Sequence, residues 1–241
     1  MTERFDDQPV WRGAGPAAGQ VGIDLGLRSH MVRVYMYMAL GLALTGLVAF
    51  FAASSPALMT AIFTTPLKWL VMLAPLGMVI YLSARIGAMS FSTAQMVFWI
   101  YAGMMGLSLS AIFLVFTGES IARLFFITSS VFGAMSLYGY TTRKDLTAMG
   151  SFLMMGVVGI VIASVVNLFL HSSAMQMMIS VIGVLVFTGL TAYDTQQIKE
   201  SYLESDTGDI SGKKAIIGAL QLYLDFINLF ISLLQLFGDR R

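Results

Sequence analysis

Seven apolar runs, near residues 32–53, 67–84, 92–116, 121–140, 147–170, 174–197 and 215–237, occupy most of the chain. Each is long enough to cross the roughly 30 Å hydrocarbon core of a bilayer. In lipid no water satisfies a free backbone N–H or C=O, so continuous runs of this kind fold as helices. The residue balance agrees: 57% of the 241 residues are hydrophobic and 11% charged, where soluble domains carry about 25% charge. The predicted fold is an all-α membrane protein with seven transmembrane helices in one bundle over residues 28–241. Residues 1–27, rich in Gly, Ala, Pro and Asp, lack the charged-then-apolar order of a signal peptide and read as a flexible cytoplasmic tail. Connections are short except for the polar stretch Glu200–Lys214, and Pro75 predicts a kink in the second run.

Several function classes drop out. A net charge of +1 without a basic stripe excludes an electrostatic nucleic-acid binder. With no cysteine there is no disulfide, thiolate metal site or cysteine nucleophile, and the 18 methionines read as packing. No GxSxG, HExxH, GxxxxGK[ST] or GxGxxG appears, and His30 and His171 stand alone, so neither an enzyme nor a bound cofactor is expected.

Lys and Arg set the orientation. With the N-terminus inside, Arg4, Arg12, Arg28, Arg33, Arg85, Arg143, Lys144, Lys199, Lys213 and Lys214 are cytoplasmic; Lys68, Arg123, Arg240 and Arg241 lie opposite. A multi-pass cell (inner) membrane protein with a cytoplasmic N-terminus and an external C-terminus follows. A last run that dips in and returns would instead leave both termini inside.

The last run carries a charge where lipid tolerates none. Asp225 sits near its middle, and a carboxylate there costs roughly 2.5–3.5 kcal/mol on insertion scales. At spacings of four and three, Gln221, Asp225, Asn228, Ser232 and Gln235 form a polar stripe about 20 Å long on one face. That face must meet other helices or a wet path between them. The competing reading is that its uncharged members merely join helices. Asp194 and Thr191, one turn apart, close the sixth run, and Arg85 closes the second at the same cytoplasmic depth. An Asp194–Arg85 pair over Asp225 would latch a polar path. Arg85 otherwise reads as an interfacial anchor. Glu119 and Arg123, four apart, predict a local helix pair. Small residues at Ala102, Gly106 and Ser110, at Ser129 and Gly133, and at Gly159 and Ala163 predict close helix crossings.

Three segments in order, Gly133-Ala-Met-Ser-Leu-Tyr-Gly-Tyr-Thr-Thr142, Thr191-Ala-Tyr-Asp-Thr-Gln-Gln-Ile198 and Leu222-Tyr-Leu-Asp-Phe-Ile-Asn-Leu-Phe230, resemble the bacterial branch of the Bax-inhibitor-like (transmembrane Bax inhibitor motif) family. The resemblance runs from about residue 28 to the end. It implies a seven-helix fold with the C-terminal helix central, and a calcium leak gated by pH through two aspartates matching Asp194 and Asp225. It also implies a latching arginine, which Arg85 resembles. Some relatives act instead on a membrane-bound protease.

The reading is therefore a pH-sensitive calcium or cation leak channel. Two carboxylates close together share a proton and titrate as a unit. Protonation would release Arg85 and loosen the mouth. Thr191, Gln221, Asn228 and Ser232 would line the ion path, and Asp194 with Asp225 would hold calcium transiently through oxygen ligands. The alternative is a membrane-embedded modulator of a membrane protease or other complex. An intramembrane aspartyl enzyme would carry both YD and GxGD signatures, and only Tyr193-Asp194 is present. Membrane lipid, calcium ions and a membrane protein are the expected partners.

Overall fold

The computed structural model describes residues 17–241, with side chains from Leu25 onward. Among the described residues nine α-helices follow in order: α1 (Ala17–Ala53), α2 (Pro56–Phe63), α3 (Leu67–Arg85), α4 (Phe91–Leu109), α5 (Ile112–Val115), α6 (Gly118–Thr141), α7 (Thr147–Leu170), α8 (Ser173–Glu200) and α9 (Gly208–Phe237). Seven spans are long and apolar enough to cross a membrane, as predicted. The expected tail lies mostly outside the described residues, and its end, 17–27, is already helical. The third run is broken at Ser110–Ala111 into α4 and α5, and α3 continues as helix through Pro75. The first connection holds α2, which the apolar pattern did not separate; Ser55 caps it and Pro56 fits its first turn.

The long polar loop expected at Glu200–Lys214 shrinks to 201–207, because α8 reaches Glu200 and α9 already begins at Gly208. Polarity misled here. Asp209 in the first turn of α9 favours the helix dipole and pairs with Lys213 at 2.9 Å. Its carboxylate also accepts the Phe91 N–H at 2.9 Å, so one side chain supports the starts of both α9 and α4.

At 30 residues, α9 is about 45 Å long. Its start is tied to α4 by Asp209, and by Lys213 donating to the Met89 carbonyl. Its far end is tied to the α5–α6 turn: Thr117 N–H donates to Asp239 O, Arg241 N–H to Val115 O, and Asp239 N–H to Ser120 Oγ. The helix therefore runs the full length of the bundle, parallel to α4, and does not dip and return. Arg123 joins this tie by pairing with Asp239 at 2.9 Å, rather than with Glu119 as its spacing suggested.

Of the last span's most apolar stretch 72% is buried, against at most 33% in any other. α1, α4, α6 and α8 pack on α9, while α3 packs chiefly on α4 and α7 on α8. Without a hydrophobic drive between helices in lipid, small residues and interhelical hydrogen bonds must hold them. Gly106 does this at the α1–α4 crossing: a Cβ there would come within 2.7 Å of the Thr45 carbonyl. Thr45 Oγ1 donates to Ala102 O at 2.8 Å and meets Tyr223 Oη at 2.7 Å, joining α1, α4 and α9. Gly133 and Gly159 face open space, so the small pairs built on them do not make the crossings their spacing suggested.

Candidate functional site

α8 and α9 run antiparallel over their whole length, and the polar stripe of α9 faces α8. Gly218 lies against Ile198; Asp225 meets Asp194; Ser232 rests on Gly183; and Gln235 bonds to Ser180. Sequence reading found only one side of this seam. The other side is α8, where Gln176, Ser180, Gly183, Asp194 and Gln197 follow at intervals of four, three, eleven and three. The signal is diluted there by Phe187 and Leu190.

The two carboxyls lie within hydrogen-bonding reach of each other. Asp225 is 4% exposed, and its Oδ2 has no protein partner. Two bare carboxylates side by side in such a place repel, so the pair favours holding a proton between them. Three cavities follow the seam. An inner crevice of about 290 Å³ between α8 and α9 is lined by Gln197, Ser201, Lys214 and Gln221. A side cavity of about 540 Å³, walled by α3, α4, α7 and α8, is reached from α9 by Asn228. A vestibule of about 640 Å³ at the far end is lined by Asn167, His171, Gln176, Gln235 and Arg240. Neither aspartate lines any of the three, but along α8 and α9 the pair lies between the first and the other two.

The sequence-predicted residues divide accordingly. Asp194, Asp225, Asn228 and Ser232 come together along the seam. Gln221 is exposed in the inner crevice. Thr191 is fully buried and its hydroxyl donates to Phe187 O, so it faces no cavity. Arg85 is not brought to the pair. It is exposed at the end of α3, which packs on α4 and α2, and among the described residues it forms no ion pair. The expected Asp194–Arg85 latch is thus absent from this structure. Replacing Arg85 with Ala should change ion flux through reconstituted protein less than twofold; a several-fold rise at alkaline pH would restore the latch. Among the described residues no three metal-ligating side chains of the His, Cys, Asp or Glu kind cluster, so any cation at the pair would be held by two carboxylates plus amide oxygens and water.

Residues that the sequence did not single out fix the depth of Asp194. Gln196 accepts the Leu146 N–H and donates to Lys144 O, both at 2.9 Å, and Lys199 donates to Tyr140 O. These bonds clamp the α6–α7 turn onto α8. Gly139 and Gly150 press on Ala192 and Tyr193, the two residues before Asp194. A chain of hydroxyls, Tyr35 to Ser136 to Thr195, ties α1 and α6 to the next residue along.

The family described as inhibitor of apoptosis-promoting Bax1 matches residues 27–241. The inner membrane protein YbhL of Escherichia coli K12 is 49% identical over 219 residues, covering 90% of this chain and 94% of that protein. A protein of Rickettsia prowazekii is 51% identical over 218 residues (90% and 92%), and one of Borreliella burgdorferi 42% over 214 (88% and 92%).

Proposed function

Since this chain belongs to the Bax inhibitor-like family of multi-pass membrane proteins, we propose that it is a cation leak of the inner membrane, calcium being the ion carried, with the Asp194–Asp225 pair as its proton-sensitive gate. The observation that carries the reading is a carboxyl pair between two antiparallel helices, Asp225 buried and Asp194 half-buried, with a polar crevice toward one end and a largely apolar cavity, reached by Asn228, toward the other.

The mechanism follows from charge. One shared proton bridges the carboxyls and holds α8 to α9 at that depth. Its loss leaves two like charges in a low-dielectric seam, which repel each other and attract a cation. Calcium accepts carboxylate and amide oxygens in flexible geometry, and Asn228 offers an amide one turn from Asp225. Two carboxylates make a weak seat, suited to passage rather than storage. The lysine and arginine balance favours a cytoplasmic N-terminus, and on that reading the crevice lined by Gln197 and Gln221 opens to the cytoplasm.

Calcium flux into liposomes containing only this protein, followed against pH, tests the reading. Flux that follows pH in the wild type and loses that dependence in Asp225→Asn supports it. A folded protein that passes no calcium at any pH would sink it. That result would favour the modulator reading, in which the rigidly clamped α6–α7 turn meets a membrane protease or another membrane protein.

A further inference from the structure

The seam is closed at a second place, three turns beyond the aspartates. Gln235 Oε1 of α9 accepts from Gln176 Nε2 at 2.5 Å and from Ser180 Oγ at 2.7 Å. Gln176 Oε1 in turn accepts from Asn167 Nδ2 at 3.2 Å, and Asn167 Oδ1 accepts the Ser172 N–H at 3.0 Å. These bonds tie α7, α8 and α9 together. Directly beneath them Ser232 fills the space that Gly183 leaves; a Cβ on Gly183 would stand 2.5 Å from Ser232 Oγ. On one side of the network lies the vestibule, of which Asn167, Gln176 and Gln235 form the wall. Deeper along the same seam lie Ser232 and then Asn228, which reaches the side cavity; that cavity adjoins the vestibule along α7, where both meet Ser164 and Leu168.

We propose that Asn167, Gln176, Ser180 and Gln235 form a second gate at the vestibule end of the seam, a plug of neutral amides whose carbonyl oxygens meet a partly dehydrated cation when it parts. This rests on the leak reading and adds the far gate to it. The vestibule itself is lined by amides, hydroxyls, an imidazole, the Arg240 guanidinium and a few apolar side chains, and among the described residues by no carboxylate. It therefore does not gather cations by charge, and discrimination falls to the oxygens at the constriction. Amide and backbone carbonyls replace hydration shells without the tight hold of full charges, which a conducting path requires. A plug made of a few neutral hydrogen bonds, which are weak within membranes, opens readily under thermal motion. The aspartate bridge answers to protons; the amide plug carries no titrating group and does not.

The chain has no cysteine, so a single introduced thiol reports cleanly. Ser232→Cys, nearly isosteric, lies one turn inside the plug, and Asn228→Cys lies deeper. In sealed membrane vesicles of each orientation, a membrane-impermeant thiol reagent on the vestibule face should modify either thiol slowly. Adding Gln235→Ala or Gln176→Ala should speed modification at least tenfold. Ser173→Ala, on the vestibule wall but outside the network, should not. In liposomes the two Gln→Ala changes should raise calcium flux several-fold and leave its pH midpoint where it was.

Unchanged thiol rates in both Gln→Ala backgrounds, in protein that remains monodisperse, would remove the second gate. So would a pH midpoint that moves with them, since the plug would then act through the aspartates. The thiol measurement needs no conduction. Faster labelling without flux in any variant would overturn the leak, and with it the cation role of the plug, while its part as a barrier to access would stand; flux with unchanged labelling would remove the second gate and leave the leak.

Discussion

Asp225→Asn and Asp194→Asn should each abolish the pH dependence of calcium flux, and the double variant should add little to either. Two unit charges about 4 Å apart interact by roughly 4 kcal/mol at an effective dielectric near 20, about three decades in an equilibrium constant. Carboxyls within hydrogen-bonding reach therefore cannot titrate independently. Asparagine keeps the shape and can still donate a hydrogen bond, so the bridge survives in form. What it loses is the proton that comes and goes.

The same pair sets a sign for calcium binding. A cation seated between the carboxylates must displace the shared proton, so binding releases about one proton and affinity rises with pH, up to tenfold per unit while the pair holds that proton. Either Asn substitution should flatten that slope and lower affinity at least tenfold at neutral pH. Binding titrations at several pH values, on the four members of the cycle, measure it. Slopes that fall by independent, additive amounts would mean that the two aspartates do not share a site.

What the sequence showed depended on how locally each feature is encoded. The seven spans and the α9 stripe lie in continuous text, where periodicity and hydropathy read directly. Asp225 stood out because a charge within an apolar run has few explanations. The partner stripe on α8 did not, since Gly183 contributes an absence of atoms and Phe187 interrupts the polarity. Arg85 is matched to Asp194 by depth and by the family resemblance, neither of which shows a contact. Depth is shared by every residue at that end of the bundle, whereas contact depends on which helices are neighbours, and α3 packs on α4. Likewise Arg123 had a partner at the right spacing in Glu119, but the residues after α9 bring Asp239 within 2.9 Å of it. The start of α9 was missed because Gly208–Lys214 is as polar as a loop while its charges are arranged as a helix wants them.

Glycines of one motif give the second large effect, and they divide sharply. A Cβ at Gly139 would overlap the backbone carbonyl oxygen of Ala192, whereas a Cβ at Gly133, six residues earlier on α6, would meet nothing within 4 Å. Backbone cannot rotate out of the way as a side chain can, so Gly139→Ala has to push α6 and α8 apart. Overpacking of this kind costs about 1–3 kcal/mol, and here the moving part is the turn of α8 that ends in Asp194. The cost should therefore appear twice: as a lower melting temperature in detergent, and as weakened coupling between Asp194 and Asp225. Gly133→Ala relieves backbone entropy in an open helix position and should be neutral or stabilising by up to about 1 kcal/mol. Thermal unfolding of the two variants, each carried through the Asp→Asn cycle, distinguishes a packing glycine from one that also sets the site. If Gly139→Ala lowers stability but leaves the coupling of the aspartates intact, the α6–α8 crossing supports the fold without positioning Asp194. If both variants melt alike, the close approach at Ala192 is not what holds these helices together.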